Sequence, residues 1–234
     1  MKKRILIKVS GASLKSEKSD FDLAKVQNLA EQMKVLSKDY SIGLVVGGGN
    51  IFRGNVASDF NLNRNDADLM GMLATVINGL LIKNTFSDFG LKANVYSALK
   101  MDRVCDEYAI RNVKHDLDND VICIFVAGTG SPFFTTDTGA ALRACEIGAD
   151  MILMGKNGVD GVYDKDPSKF NDAIRFDKLT FAEVLNKKLQ VMDQSALTLC
   201  QDNNIDILVF DIDEQNCFVK AIDNKIKTTI ISNK

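Results

Sequence analysis

One stretch of the sequence organises the rest of the chain: Gly128-Thr129-Gly130-Ser131-Pro132-Phe133-Phe134-Thr135-Thr136-Asp137. It follows an apolar run at 121–127 that is typical of a buried parallel strand, and it precedes a segment with helical period at 138–147. The 128–137 stretch is therefore predicted to be a loop between the carboxyl end of a strand and the first turn of a helix. Ligands of open α/β sheets bind at such loops, and helix N-termini favour anions.

The composition of the 128–137 loop suits an anionic ligand. Gly128 and Gly130 allow backbone amides to come close to a ligand, the threonines and Ser131 offer hydroxyl groups, and the two phenylalanines offer flat faces. The alternative is an ordinary connecting loop, in which Thr136 or Asp137 caps the helix and the phenylalanines belong to the core. The loop by itself does not separate the two interpretations, because short Gly/Thr loops are common in α/β folds.

Length and composition favour one cytoplasmic α/β domain. Of the 234 residues, 46% are hydrophobic and 26% are charged, which is enough for a sizeable core. A net charge of −2 without a long basic block disfavours a general nucleic-acid binder. Lys8 interrupts the first apolar run before it reaches the length of a signal peptide, and no later run is expected to span a membrane.

The histidine and cysteine counts disfavour several catalytic classes. His115 is the only histidine and lies in a polar stretch, so histidine-dependent triads and His-rich zinc sites have little to work with. The five cysteines lack CxxC spacing and are expected to be reduced thiols. Chemistry in this chain must therefore depend on lysine, arginine, carboxylates and backbone amides.

Strands and helices alternate along the chain, which predicts an α/β fold with a mostly parallel central sheet and helices on both faces. Helices are predicted at about 21–38, 66–86, 106–117, 138–147, 180–188, 195–202 and 217–222. Strands are predicted at about 4–9, 42–46, 93–96, 121–127, 151–154, 205–210 and 228–231. The long helix is expected to bury Leu69, Leu73, Val76, Ile77 and Leu80, and the loop at 160–177 is the predicted seam between two lobes.

Four glycine-bearing loops follow predicted strands, at 10–11, 47–54, 128–137 and 155–161. The carboxyl ends of parallel strands lie along one edge of a sheet, so these loops can converge. The chain contains neither G-x-x-x-x-G-K-[ST] nor G-x-G-x-x-G after a strand. P-loop enzymes and dinucleotide-binding dehydrogenases are therefore disfavoured.

Two cations and one carboxylate each have a structural and a functional interpretation. Lys8 is either a strand lysine that reaches solvent or a cation aimed at a transferring phosphoryl group. Arg53, just after a glycine triplet, suits bidentate contact with a phosphate. Asp68 either complements the helix dipole or accepts hydrogen bonds from a ribose. Phosphoryl transfer depends on positioning and cations more than on a general base, which agrees with the single histidine.

The chain resembles the bacterial uridylate kinases of the amino-acid-kinase superfamily over nearly its whole length. The resemblance depends on Lys8-Val9-Ser10-Gly11, Gly47-Gly48-Gly49-Asn50-Ile51-Phe52-Arg53-Gly54, Asp68-Leu69-Met70-Gly71-Met72-Leu73-Ala74-Thr75, the 128–137 loop, Val159-Asp160-Gly161-Val162-Tyr163-Asp164-Lys165-Asp166-Pro167 and Val191-Met192-Asp193. It implies a three-layer sandwich that forms a single domain over 1–234, with an acceptor-binding lobe at about 1–150 and an ATP-binding lobe at about 151–234.

The same resemblance implies transfer of the γ-phosphoryl group of ATP to UMP, giving UDP and ADP in pyrimidine nucleotide biosynthesis, with Mg²⁺ held mainly by nucleotide phosphates. The implied catalytic residues are Lys8, Arg53 and Asp137. The implied ATP-binding residues are Lys8, Val9, Ser10, Gly11, Gly49, Arg53, Asn157, Tyr163 and Asp166. The implied UMP-binding residues are Gly48, Asp68, Thr129, Gly130, Ser131, Pro132, Phe133, Phe134, Thr135 and Thr136.

Members of this family are typically hexamers built from dimers through the long helix, and they are commonly activated by GTP and inhibited by UTP. Where members carry Gly-Glu-Ala-Leu, this chain has Gly11-Ala12-Ser13-Leu14, and residues 15–20 lack the glycines associated with GTP activation. The alternatives are a related kinase that acts on a carboxylate or carbamate and a non-catalytic nucleotide sensor. The related kinase would not need Asp68 or the phenylalanines of the loop, and the sensor would be expected to have lost Lys8 or Asp137.

Overall fold

The computed structural model describes residues 2–234, with the backbone alone at residues 54, 55 and 57. The strands are β1 (Lys3–Val9), β2 (Tyr40–Val46), β3 (Ala93–Ser97), β4 (Asp106–Glu107), β5 (Ile122–Val126), β6 (Met151–Lys156), β7 (Val162–Tyr163), β8 (Arg175–Phe176), β9 (Lys178–Thr180), β10 (Asp206–Asp211) and β11 (Thr229–Ser232). The helices are α1 (Leu23–Leu36), α2 (Gly54–Asp59), α3 (Arg64–Asp88), α4 (Ile110–Asp118), α5 (Thr136–Ile147), α6 (Phe181–Asn186), α7 (Gln194–Asp202) and α8 (Cys217–Ile222). A short 3₁₀ turn covers Gly11–Leu14.

Nine of the described strands form one sheet, in the order β4-β3-β5-β2-β1-β6-β10-β11-β9. Neighbouring strands run parallel, apart from the antiparallel pair of β10 and β11. The strands β7 and β8 pair separately as a short antiparallel ribbon. The prediction of a mostly parallel central sheet is confirmed. Helix α2 and the two- and three-residue strands were not predicted, because such short segments carry too few residues for a periodic pattern.

Helices cover both faces of the sheet, as predicted. In β1, Ile5, Ile7 and Val9 belong to an apolar cluster that includes residues of α1, α3 and α8. Leu6 belongs to a second cluster with residues of α4, α5, α6 and α7. Because side chains alternate along a strand, Lys8 points to the same face as Leu6, towards α5.

Helix α3 buries a different face from the predicted one. Val76 is buried, but Leu69, Leu73, Ile77 and Leu80 are exposed. The buried face consists mainly of small and polar residues, among them Ala67, Ala74, Thr75, Asn78 and Gly79. A Cβ atom at Gly79 would lie only 2.4 Å from Cγ1 of Val126, so small residues are what allow α3 to lie so close to the sheet. Met72, Ile82 and Phe86 are buried as well, whereas Leu69, Leu73, Ile77 and Leu80 form an exposed apolar stripe on the outer side of the helix.

Helix α3 also meets the length and composition criterion for a membrane span, with a mean hydropathy of 1.3 over an 18-residue window. This differs from the expectation that no later run would be long and apolar enough. Half of that window is buried inside the fold, and core helices of soluble proteins meet the same criterion. The apolar character of α3 follows from its contact with the sheet on one side and its exposed stripe on the other.

Candidate active site at the carboxyl edge of the sheet

The adjacent strands β5, β2, β1 and β6 bring the four glycine-bearing loops to one edge of the sheet. The loops after β1 and β2 are in direct backbone contact. The amide of Gly47 donates a hydrogen bond of 2.9 Å to the carbonyl of Val9, and a Cβ atom at Gly11 would lie 2.5 Å from the nitrogen of Gly49. No described atom would lie within 4 Å of a Cβ atom at Gly49, so its backbone borders open space. Backbone amides that face open space are suited to an anionic ligand.

A buried pair of asparagine side chains supports the glycine triplet. Asn50 and Asn78 exchange amide hydrogen bonds of 2.9 and 2.7 Å. Asn78 also donates to the carbonyl of Gly47 at 2.7 Å, and Asn50 donates to the carbonyl of Asp20 at 3.0 Å. The pair therefore fixes the triplet against α3 and against the segment at 15–20. Sequence reasoning assigned no role to either asparagine, because the two residues lie far apart in the chain.

A cleft of about 970 Å³ lies between the glycine triplet, α3 and the 128–137 loop. Most of the predicted acceptor-site residues line this cleft: Gly48, Asp68, Thr129, Ser131, Phe134, Thr135 and Thr136. Gly49, predicted on the ATP side, also lines it, whereas Gly130, Pro132 and Phe133 belong to the same loop without lining the cleft. The side chains of Phe133 and Phe134 are 64% and 53% exposed, so the interpretation that they belong to the core is wrong.

Asp68 connects α3 to the 128–137 loop. Its Oδ2 atom accepts a hydrogen bond from the amide of Phe133 and another from Nε of Arg64, each 2.7 Å long. Burial raises the pKa of Asp68, but these two hydrogen bonds outweigh it and hold the pKa below its ordinary value. Phe133 has a φ of 73°, which is uncommon for a residue other than glycine, and its hydrogen bond to Asp68 stabilises that conformation. Asp68 is therefore an ionised acceptor at the rim of the loop.

Lys8 and Asp137 form an ion pair on the α5 side of the sheet. The distance from Nζ of Lys8 to Oδ1 of Asp137 is 3.1 Å, and the two side chains are 15% and 22% exposed. Oδ1 of Asp137 is buried and, among the described residues, accepts no hydrogen bond of normal geometry. The ammonium group is close enough for an ionic contact but lies off the hydrogen-bonding direction. The carboxylate thus retains the capacity to accept a further donor or a cation.

The first turn of α5 is fixed by Asp193. The cap of α5 is Thr135, one residue before Thr136 and two before Asp137, the two predicted caps. Its Oγ1 atom accepts hydrogen bonds from the amides of Asp137 and Thr138 at 3.1 and 3.2 Å. The hydroxyl groups of Thr135 and Thr138 both donate to Oδ2 of Asp193, the second at 2.8 Å, and Oδ1 of Asp193 accepts from the amide of Ala196 at 2.9 Å. One carboxylate therefore caps α7 and holds the turn that carries Asp137.

The hydrogen bonds to Asp193 also determine its ionisation. Burial raises the pKa of this carboxyl group, whereas the hydrogen bonds from Thr135, Ala196 and Thr138 lower it further than burial raises it. The net effect is a pKa below the ordinary value for aspartate. Asp193 belongs to the segment Val191-Met192-Asp193 that carried part of the resemblance, although its role at α5 was not predicted.

Arg53 and Ser10 lie at the ends of the first two loops. Nε of Arg53 donates to the carbonyl of Gly49 at 2.5 Å, while the side chain is otherwise exposed. Ser10 caps the 3₁₀ turn, since its Oγ atom accepts from the amide of Ala12 at 3.2 Å. Both residues border the glycine triplet side of the site, where sequence reasoning expected ATP phosphates.

The predicted adenosine-pocket residues lie along the loop after β6. Nδ2 of Asn157 donates to Asp213 at 3.3 Å, and the hydroxyl of Tyr163 donates to Oδ1 of Asp160 at 2.6 Å. Asp166 accepts hydrogen bonds from the amide and the hydroxyl of Ser168, at 3.0 and 2.7 Å. These contacts hold the loop, but they do not bring the three residues together with one another.

A second cavity, of about 530 Å³, lies beside this loop. Its lining combines carboxylates and cations: Asp160, Asp211, Glu214, Lys220, Lys225 and Lys227, with Asn224 and Ile226. Within the part of the chain that is described, the lining does not include Asn157, Tyr163 or Asp166. Tyr163 is connected to the lining only indirectly, because its hydroxyl group donates to Asp160. Sequence reasoning missed the three lysines, because each stands alone in a polar stretch.

No group of three or more His, Cys, Asp or Glu side chains is gathered for a metal ion within residues 2–234. At the carboxyl end of β1, the carboxylate of Asp137 lies beside Lys8. A metal ion at this edge would therefore need ligands from a bound molecule.

Comparison with known proteins gives consistent results. The family model for the amino acid kinase family matches residues 3–211. The chain is 48% identical over 232 residues to the uridylate kinase of Ureaplasma parvum, and the match covers 99% of each chain. It is 44% identical over 231 residues to the uridylate kinase of Malacoplasma penetrans, and that match covers 99% of this chain and 73% of the relative. The crystal structure of UMP kinase from Ureaplasma parvum superimposes with a TM-score of 0.97 at 48% identity, covering 99% of each chain. The UMP kinase structure from Bacillus anthracis gives 0.94 at 34% identity, covering 99% of this chain and 96% of that one.

Replacement of Asp193 by asparagine is expected to change how stability depends on pH. A carboxyl group whose pKa is lowered by folding stabilises the native state above its unfolded pKa of about 3.9, and this stabilisation is lost as the pH falls through the folded pKa. Wild-type protein should therefore be more stable than Asp193→Asn at pH 7, and the difference should shrink as the pH falls below about 4. Urea unfolding from pH 7 to pH 3 measures the difference, with the exposed Asp39→Asn as control. A difference that stays constant over this range would contradict the assignment.

Proposed function

The chain belongs to the amino acid kinase family, and from its similarity to uridylate kinases we propose that it is itself a uridylate kinase, which transfers the γ-phosphoryl group of ATP to UMP and releases ADP and UDP. The observation that carries the proposal is the cleft of about 970 Å³ at the carboxyl edge of the sheet. Glycine amides, an ionised aspartate, hydroxyl groups and an exposed phenylalanine line this single cleft. Those groups match the phosphate, the ribose and the base of a nucleoside monophosphate.

The acceptor nucleotide is proposed to lie in this cleft. Gly48 would approach the UMP phosphate through its backbone, and Asp68 would accept hydrogen bonds from the ribose hydroxyls. The residues of the 128–137 loop proposed to surround UMP are Thr129, Gly130, Ser131, Pro132, Phe133, Phe134, Thr135 and Thr136. The lowered pKa of Asp68 supports its proposed contact with the ribose, because an ionised carboxylate can accept hydrogen bonds from two hydroxyl groups.

The donor is proposed to place its phosphates over the ends of β1 and β2. Backbone amides at 8–11 and at Gly49 would contact the ATP phosphates, with Arg53 as a bidentate partner. Lys8 would carry positive charge to the transferred group, and Asp137 would hold Lys8 in place. Asn157, Tyr163 and Asp166 would line the adenosine end. Such a site needs no general base, because the loose transition state is stabilised chiefly by positioned cations and amides.

The proposed cofactor is Mg²⁺. This ion prefers oxygen ligands and is commonly held by one or two carboxylates together with substrate phosphates. Asp137 fits such a part, because its buried Oδ1 atom lacks a regular hydrogen bond among the described residues. Since no larger acidic cluster lies within residues 2–234, the nucleotide phosphates would supply most of the other ligands. When bound, the ion would neutralise charge on the phosphate oxygens.

Neither alternative function explains both the position of Asp68 and the ion pair of Lys8 and Asp137. A related kinase acting on a carboxylate or carbamate would have no use for an ionised Asp68 that faces a nucleotide-sized cleft. A non-catalytic sensor would not need the ion pair of Lys8 and Asp137 at the strand end. Both features favour a phosphotransferase with a phosphate group as acceptor.

The exposed apolar stripe of α3 supports the dimer contact within a proposed homohexamer. Contiguous exposed side chains of this size are typical of an interface between protein chains. The stripe consists of Leu69, Met70, Leu73, Ile77 and Leu80. We propose that it packs against the same helix of a second copy, as in the dimers from which the family's hexamers are built.

A uridylate kinase with this cleft is expected to respond to UTP and to be located in the cytoplasm. UTP would inhibit, because it carries the base and ribose for which the cleft is proposed. The segment at 15–20 lacks glycine, and activation by GTP is therefore not expected. An enzyme of pyrimidine nucleotide biosynthesis is expected in the cytoplasm.

An ADP-release assay with several acceptors tests the proposed function. UMP should be the preferred acceptor, with kcat/KM exceeding that of CMP by about 100-fold or more, since a site built to hydrogen-bond one base leaves polar groups unpaired with another. dUMP reports on the contact between the ribose and Asp68, and small carboxylic acids should give no turnover. Equal activity with CMP would contradict the specificity, and turnover of a carboxylic acid would favour the related kinase.

Ile77→Glu should break the proposed assembly. A carboxylate in the middle of an apolar interface would be buried without a partner, so the variant should form smaller species than the wild type. Multi-angle light scattering measures the mass, and Val35→Glu, at an exposed apolar residue of α1, is the matched control. A wild-type protein that is an active monomer would contradict the hexamer.

A further inference from the structure

Lys156 is a second lysine at the carboxyl edge of the sheet. It is the last residue of β6, which runs parallel to β1 with Met154 opposite Lys8. Met154 belongs to the apolar cluster on the α5 side of the sheet. Because side chains alternate along a strand, Lys156 points to that same side, as Lys8 does. The two lysines therefore extend from neighbouring strands towards the first turn of α5, which carries Asp137.

Two charged groups act on the amine of Lys156. Burial lowers the pKa of Lys156, the carboxylate of Asp137 raises it and the ammonium of Lys8 lowers it, so that the pKa lies below its ordinary value. Both members of the ion pair therefore lie within electrostatic reach of this amine. Asp137 is thus shared by two partly buried lysines, and a partly buried lysine is costly without a partner of its own. An anion bound beside the two lysines would lower that cost.

Within the described residues, the hydrogen bond that Lys156 makes does not explain why this position is a lysine. Its Nζ atom donates to the carbonyl of Gln190 at 2.6 Å. A neutral donor would hold a backbone carbonyl equally well without the cost of a second buried cation. A lysine has a flexible stem and a compact charge, so it can exchange a neutral carbonyl for a phosphate oxygen, which forms a stronger, charge-assisted hydrogen bond.

We propose that Lys156 is a second phosphate-binding lysine of the donor site, which leaves the carbonyl of Gln190 and binds the triphosphate of ATP. The inference rests on the proposed function, because it takes ATP as the phosphoryl donor. Lys8 and Lys156 then hold the phosphates from neighbouring strands, with Asp137 between them. Two positioned cations stabilise the negative charge on the transferring group better than one.

Two neutral variants, Lys156→Gln and Lys156→Met, test this inference together with the charged variant Lys156→Arg. The glutamine amide can still donate to Gln190 but carries no charge. Lys34→Gln is the matched control, because Lys34 likewise donates to a backbone carbonyl, that of Phe89 at 3.0 Å, and lies on α1. Two neutral variants are used so that a folding failure of one, detected by thermal unfolding, leaves the other.

The measured quantities are kcat/KM for ATP and the Kd values of AMP-PNP and adenosine by calorimetry. Each neutral variant should lower kcat/KM for ATP and weaken AMP-PNP binding by about 10- to 100-fold, as expected for loss of a hydrogen bond between charged groups. Adenosine binding should change by less than about 2-fold, because adenosine has no phosphate for the lysine to reach. Lys156→Arg should recover most of the AMP-PNP affinity, and Lys34→Gln should behave as the wild type.

Wild-type affinity for AMP-PNP in a neutral variant would overturn the inference. Equal weakening of AMP-PNP and adenosine would overturn it as well, because that result indicates a structural part for Lys156. A different result would contradict the proposed function. A wild-type protein that binds AMP-PNP but does not phosphorylate UMP would contradict the kinase assignment, while the comparison of AMP-PNP with adenosine would still decide the part of Lys156.

Discussion

The ion pair between Lys8 and Asp137 is the interaction on which the proposed active site depends. Lys8 interrupts the apolar residues 5–9 of the central strand β1 and ends 3.1 Å from a carboxylate in the first turn of α5. A partly buried lysine is costly without a partner, and a partly buried aspartate is costly without a cation. Asp193 in turn fixes that first turn through the hydroxyl groups of Thr135 and Thr138. The position of the charge at the strand end thus follows from a chain of contacts between β1, α5 and α7.

Close packing of backbones is the second constraint, and α3 meets it. The helix approaches the sheet through small residues such as Gly79, supports the glycine triplet through Asn78, and presents Asp68 to the cleft. At Gly79 the inner face has no room for a side chain, whereas Leu69, Leu73, Ile77 and Leu80 lie exposed on the outer face. One helix therefore contributes to the core, to the proposed acceptor site and to the proposed assembly.

Much of the fold and of the location of the candidate site could be predicted from the sequence, because both follow from local patterns. Buried parallel strands are apolar runs, and the glycine loops after them meet at one edge by the geometry of parallel sheets. The family resemblance carried by those loops is confirmed. The outer face of α3 was mispredicted, since periodicity identifies the most apolar face but not what covers it. Partnerships between distant residues, such as Asn50 with Asn78 or Thr135 with Asp193, have no local signal.

A double-mutant cycle of Lys8 and Asp137 tests the central claim most directly. The variants are Lys8→Met, Asp137→Asn and the combination of the two, and the measured quantity is kcat/KM for ATP at saturating UMP. If the two residues act as one unit, each single variant should lose activity on the order of 10²- to 10³-fold, and the double variant should lose about as much as the worse single variant. Losses that multiply in the double variant would show independent residues and would contradict the proposed site.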